Sequence, residues 1–162
     1  MRTSLVAVAA LVTIFTIFAL DCDRVYAADV HDSHAHDTRH EVAPVPPRGQ
    51  LWPTDEPLRA AMSKIRAAVE AAEPAYGRAQ LQAEDARALA QVVEQSVAYM
   101  VANCRLPPEP DAALHVLIGR MMTAAGSLNR DAGSDAGLPQ LVAVMRDYRS
   151  SFDHPGWSDP AR

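Results

Sequence analysis

Residues 58–77 of this chain, LRAAMSKIRAAVEAAEPAYG, place an apolar side chain at every third or fourth position, which is the spacing of one helical face. The apolar positions of this face are Leu58, Met62, Ile65, Val69 and Ala72. Thr54 or Asp55 can cap the start of the helix. Pro57 suits its first turn, and Pro74 and Gly77 mark its end. The stretch therefore predicts an amphipathic helix with a defined start and a defined end.

Three more stretches repeat this spacing. The second covers residues 86–104, the third covers residues 111–125 and is opened by Pro110, and the fourth covers residues 138–152. No stretch alternates apolar and polar residues with a period of two, which argues against a β-sheet. Four amphipathic helices bury their apolar faces most simply in an antiparallel arrangement. We therefore predict an all-α, up-and-down four-helix bundle over residues 51–157.

The first 27 residues have the features of a secretory signal peptide. Arg2 supplies a positive charge, residues 5–20 are largely apolar, and Val25-Tyr26-Ala27 has small residues where a signal peptidase requires them. The apolar stretch is too short and too poorly flanked to predict a membrane anchor. We therefore expect cleavage after Ala27, export to the periplasm and no stable membrane insertion.

Residues 28–50 are rich in His, Asp and Pro and have no apolar period, which predicts a disordered tail. Its candidate metal ligands are His31, His34, His36 and His40. Such tracts chelate copper, nickel or zinc through neutral imidazoles, although a solvated linker without a ligand has the same composition. Cleavage after Ala28 would place His31 third from a free amine, which suits square-planar copper(II) or nickel(II). Residues 158–162 are predicted to form a short C-terminal tail.

Charge and cysteine content restrict the function further. The net charge is −5, and no basic stripe is present, so nucleic acid is not an expected partner. Cys22 lies in the predicted signal peptide, which leaves Cys104 alone in the mature chain. A single thiol in an oxidising compartment is buried, paired with another molecule, or bound to a metal or cofactor.

Four side chains with donor atoms fall at one end of the predicted bundle. They are Met62, Met100, Cys104 and His115. A rise of about 1.5 Å per residue places these positions at roughly the same level along antiparallel helices. Thiolate and thioether ligands favour copper(I), and imidazole suits copper and zinc, so these residues are a candidate inner metal site. The alternative is structural, since methionine and free cysteine commonly fill helical cores.

Three segments carry a resemblance to known proteins. Asn103–Pro107, Asp111–His115 and Phe152–Trp157 look like a pattern in small secreted bacterial proteins of unassigned function that are associated with metal stress. The resemblance covers residues 51–157. It implies a setting of metal stress and no established activity.

In outline the chain is also similar to the cytochrome b562 family. That similarity implies an exported four-helix protein that holds haem between a Met early in the first helix and a His on the fourth. Met62 matches the first ligand, but the fourth helix has Met145 and no histidine before His154. A Cys-x-x-Cys-His haem attachment motif is absent. A haem-binding electron carrier, with His115 as second ligand, is therefore an alternative hypothesis.

The sequence has no motif for catalysis. There is no Gly-x-Ser-x-Gly elbow, phosphate-binding glycine loop or His-Glu-x-x-His helix, so we do not expect an enzyme. The leading hypothesis is a periplasmic metal-binding protein, with copper as the first candidate, that acts as a buffer, an accessory to a sensor or a delivery protein. A third hypothesis is a ligand-free module that binds an envelope protein. The segment Phe152–Trp157 is expected to fold back onto the bundle.

Overall fold

The computed structural model describes residues 44–157, which contain four α-helices. Their bounds are α1 Glu56–Gly77, α2 Ala83–Asn103, α3 Pro108–Arg130 and α4 Leu138–Ser151. Consecutive helices pack against each other and α1 packs against α4, which confirms the predicted all-α up-and-down bundle. The predicted signal peptide, the four tail histidines and the predicted C-terminal tail at 158–162 lie outside the described residues.

The helix boundaries follow local chemistry. Asp55 caps α1, because its Oδ1 accepts a hydrogen bond from the backbone N–H of Leu58 at 2.9 Å. The third helix begins at Pro108, two residues before the predicted opening at Pro110. Proline is tolerated in the first turn because its missing N–H would have no partner inside the helix there. The second helix ends at Asn103, ahead of Pro107 and Pro108. Pro74, expected near the end of α1, lies inside that helix, which continues to Gly77.

The four apolar faces meet in one core. Its largest fully buried side chains are Tyr148, Phe152, Leu58, Met62, Ile65, Met100, Leu114, Met121, Leu128, Leu138, Leu141 and Val93. Most of these positions belong to the predicted apolar faces. Ala72, which was also predicted to face the core, is only partly buried at its edge. Within residues 44–157, no helix has the length and hydropathy needed to cross a membrane.

The fourth helix is the shortest, with 14 residues against 21 to 23 in the other three. The connection before it is anchored to α1, since the hydroxyl of Tyr76 donates a hydrogen bond to Oδ1 of Asp135 at 3.1 Å. At the start of α4, Gly137 lies so close to Leu128 that a Cβ atom would be 2.9 Å from the Leu128 side chain. Any larger residue at this position would force the Leu128 side chain to shift.

The two ends of the described chain meet beside α1 and α4. The N–H of Trp52 donates to the carbonyl of Ser151 at 2.7 Å, and the N–H of Asp153 donates to the carbonyl of Trp52 at 2.8 Å. Phe152 is 2 % exposed, and the ring of Trp157 lies 4.9 Å from that of Tyr148. These contacts confirm that the segment after α4 folds back onto the bundle. We name residues 153–157 the C-terminal clasp.

Candidate metal site

Three of the predicted inner ligands line one small pocket at the junction of α2 and α3. The pocket has a volume of about 60 Å³, and its lining residues are Met100, Val101, Cys104, Asp111, Leu114, His115 and Ile118. It therefore brings together a thioether, a thiol and an imidazole. The apolar side chains of Val101, Leu114 and Ile118 complete its wall.

Cys104 follows directly after the last residue of α2. Its backbone N–H donates to the carbonyl of Met100 at 2.9 Å, so Cys104 caps the helix end. The sequence pattern predicted this residue in the buried face of the helix, but it is half-buried and outside the helix. The reason is the early end of α2 at Asn103, which turns Cys104 towards the loop that leads to α3.

The thiol of Cys104 is surrounded by acidic groups. The carboxylates of Asp55 and Asp111 both lie close enough to influence its ionisation. Burial and the negative charge of Asp55 raise the pKa of Cys104 to about 11, with a smaller opposing effect from Arg105. The free thiol is therefore protonated at neutral pH, and a metal ion that binds its sulfur must displace the proton.

His115 lies at the solvent side of the pocket. Its side chain is 62 % exposed, and its Nδ1 is 2.9 Å from the carbonyl oxygen of Asp111 and 3.5 Å from Oδ2 of the same residue. A neutral ring whose Nδ1–H donates to that carbonyl keeps its lone pair on Nε2. An imidazole oriented in this way by a backbone carbonyl is a common metal ligand.

The number of available ligand side chains limits the ion that could bind. Among residues 44–157, no group of three or more His, Cys, Asp or Glu side chains is arranged to hold a metal ion. Structural zinc sites take four such ligands. An ion in this pocket would have to use the thioether of Met100 beside Cys104 and His115, which fits a soft ion of low coordination number.

Met62 does not belong to this pocket. Its side chain is fully buried in the core, and it is not among the residues that line the cavity beside His115. The pocket is formed by α2, α3 and their connection, whereas Met62 lies on α1. The same separation applies to the haem hypothesis, which requires Met62 and His115 to face one cavity.

Two acidic residues near the thiol were not predicted as part of the site. Asp111 lies four residues before His115 on the same helix, so the i, i+4 spacing could have revealed their contact. Asp55 is 50 residues from Arg105, yet its Oδ2 accepts the N–H of Arg105 at 2.6 Å. Only helix packing brings this residue to the α2–α3 connection.

Another cavity lies away from these donors. A pocket of about 580 Å³ is lined by Tyr76, Leu81 and Arg130, among others, near the end of α1, the start of α2 and the end of α3. None of the predicted inner ligands lines it.

The four tail histidines lie outside the described residues, so their prediction stays a prediction. No protein-family model, curated protein or solved structure matches this chain.

Proposed function

We propose that this protein binds a soft transition-metal ion, with copper(I) as the first candidate, at the pocket between α2 and α3. The observation that carries the proposal is the convergence of Met100, Cys104 and His115 on one cavity. Two sulfur donors and one imidazole are a ligand set that favours copper(I) over magnesium, calcium or manganese. Each of the three residues would supply one donor atom: Sδ, Sγ and Nε2.

The surroundings of the pocket support a soft ion. The buried Leu114 and the partly buried Ile118 line the inner side of the pocket with apolar atoms, whereas Val101 and His115 face the solvent side. Ions that bind sulfur weakly are disfavoured, because an ion must displace the proton of the Cys104 thiol, whose pKa is raised.

The exposed position of His115 supports an exchangeable ion over a structural one. With 62 % of its side chain accessible, the imidazole can bind or release an ion without unfolding the bundle. We infer a buffer or delivery role in the periplasm, to which the predicted signal peptide would direct the chain. The tail residues His31, His34, His36 and His40 would form a second site, for copper(II), nickel or zinc.

The experiment is a competition titration of the full chain with copper(I) and a chromophoric copper(I) chelator under anaerobic conditions. We expect Cys104→Ser and Met100→Leu each to weaken copper(I) affinity at least about tenfold, which corresponds to about 1.4 kcal/mol. His115→Gln is expected to weaken it less, because its imidazole is the most exposed ligand.

Two controls give the test its specificity. Met121→Leu changes a fully buried methionine outside the pocket, so copper(I) affinity should be unchanged. Met62→Leu should also leave it unchanged, whereas a weakened affinity would return Met62 to the ligand set. If copper(I) affinity survives in Cys104→Ser combined with Met100→Leu but is lost when the four tail histidines become alanine, the pocket is not the site.

A further inference from the structure

The C-terminal clasp is attached to the bundle by few polar contacts. Its backbone is held by the hydrogen bond from the N–H of Asp153 to Trp52, and by the hydroxyl of Thr54, which donates to the carbonyl of Asp153 at 2.5 Å. Both contacts lie at its first residue. The rest of the clasp depends on the side chains of His154 and Trp157.

His154 connects the clasp to two helices. Its Nδ1 lies 3.0 Å from the hydroxyl of Tyr148 on α4, and its Nε2 lies 3.4 Å from Oγ of Ser63 on α1. Its ring packs 4.7 Å from that of Trp157, over which the guanidinium of Arg66 lies at 5.0 Å. One imidazole therefore joins α1, α4 and the end of the described chain.

The buried hydroxyl of Tyr148 decides which nitrogen of His154 carries the proton. Tyr148 is 0 % exposed, and within residues 44–157 the hydroxyl has His154 as its hydrogen-bond partner. A buried O–H group needs an acceptor, so Nδ1 accepts from Tyr148 and the Nε2–H donates to Ser63. A doubly protonated ring has no acceptor, and the Tyr148 hydrogen would be left without a partner.

The charges around His154 also favour its neutral form. Arg59 and Arg66 of α1 lie near the ring, Asp153 of the clasp is the opposing charge, and Tyr148 of α4 is neutral because burial raises its pKa. Burial and the two arginines lower the pKa of His154, and Asp153 only partly opposes them. The imidazole of His154 in the folded clasp therefore binds a proton less readily than that of an exposed histidine does.

We propose that His154 makes the clasp acid-sensitive: protonation of its imidazole releases residues 153–157 from α1 and α4. The neutral ring accepts from Tyr148 and donates to Ser63, whereas the protonated ring can only donate and adds a positive charge beside Arg59 and Arg66. Phe152 stays in the core, so the bundle remains folded while the clasp opens. This property is independent of the proposed metal site.

The test uses the full chain without added metal between about pH 5 and about pH 8. The fluorescence of Trp157, in a Trp52→Phe background that leaves it as the single tryptophan, should change on acidification with a midpoint below the ordinary histidine value. In the unaltered chain, amide exchange measured by NMR should show loss of protection at Asp153 and Trp157 at acid pH. The amides of the α2 core should stay protected.

Matched variants identify the responsible group. His154→Asn keeps an oxygen acceptor for Tyr148 but does not titrate, so the transition should disappear. His115→Asn removes an exposed histidine elsewhere and should leave it unchanged. Tyr148→Phe removes the hydroxyl that needs the acceptor, so the midpoint should shift upward. A transition that persists in His154→Asn, or clasp amides that stay protected while His154 titrates, would overturn the proposal.

Discussion

The carboxylate of Asp55 and the backbone N–H of Arg105 form a 2.6 Å hydrogen bond that joins the start of α1 to the connection between α2 and α3. The other oxygen of the same carboxylate caps α1 through the N–H of Leu58. The negative charge of Asp55 also raises the pKa of the nearby Cys104 thiol. One acidic residue thus caps α1, links it to the connection between α2 and α3, and raises the pKa of the candidate ligand Cys104.

Replacing Asp55 should therefore lower the free energy of unfolding more than the loss of an ordinary helix cap does. We expect Asp55→Ala to lower the free energy of unfolding by about 2 kcal/mol, because a cap and a charge-assisted hydrogen bond are lost together. Urea denaturation of the full chain measures the change. Asp55→Asn keeps an oxygen for Leu58 and should cost clearly less. Equal losses in the two variants would contradict the assigned capping role.

The reactivity of Cys104 should depend on pH with a midpoint far above neutrality. Its pKa is raised to about 11 from an ordinary 9.0, so the thiolate fraction near neutral pH is about a hundredfold smaller than for an ordinary cysteine. We expect slow alkylation by iodoacetamide at neutral pH and a rate that rises until about pH 11.

Asp55→Asn provides the control for this rate. Removal of the negative charge lowers the pKa of Cys104, so alkylation at neutral pH should become faster. A rate at neutral pH that equals that of a free cysteine would show that the thiol is not held among acidic groups as the structure describes.

Two glycines should respond to alanine in opposite directions. Gly119 lies inside α3, and a Cβ atom there would meet nothing within 4 Å. We expect Gly119→Ala to stabilise the protein by about 0.5–1 kcal/mol through improved helix propensity. At Gly137 the added atom would be 2.9 Å from Leu128 and 3.1 Å from the carbonyl of Ser134. Gly137→Ala should therefore destabilise it by about 1–3 kcal/mol.

Thermal unfolding of the two glycine variants beside the unaltered chain measures the difference. The pair serves as its own control, since both changes add the same methyl group. A gain in stability for Gly137→Ala would mean that the connection before α4 does not approach α3 as closely as described.

The stability of the fold should fall on acidification through His154. Its folded-state pKa is lowered, so its contribution to the free energy of unfolding is fully present above the ordinary histidine value of 6.5. That contribution decreases as the pH falls through the folded-state pKa. The difference in unfolding free energy between the unaltered chain and His154→Asn should therefore change over this range and stay constant above it. A constant difference throughout would contradict the contact with Tyr148.

The sequence predicted the helices well because their signals are local. The spacing of Leu58, Met62 and Ile65 sets one helical face, and Asp55 and Gly77 mark its ends within a few residues. The same rule placed Met100 and His115 at one end of the bundle, since antiparallel helices of known rise align those positions. The convergence of Met100, Cys104 and His115 could thus be predicted from the chain.

The prediction that Met62 belongs to the inner metal site shows what helix spacing alone cannot determine. Its level along the bundle follows from the sequence, but its direction depends on how α1 is rotated against its neighbours. Side-chain ridges and grooves of both partners set that rotation. The structure places Met62 in the core and leaves the pocket to α2, α3 and their connection.

By itself, the sequence determined four amphipathic helices, their order, and which donors stand at one end of the bundle, because helical hydrogen bonds and apolar periods act over a few residues. Tertiary structure alone decided that Asp55 reaches Cys104 and that His154 lies between Ser63 and Tyr148. Ser63 and His154 are 91 residues apart. Contacts of this kind depend on the relative rotation of packed helices and on the path of the chain after α4, and no local pattern specifies either.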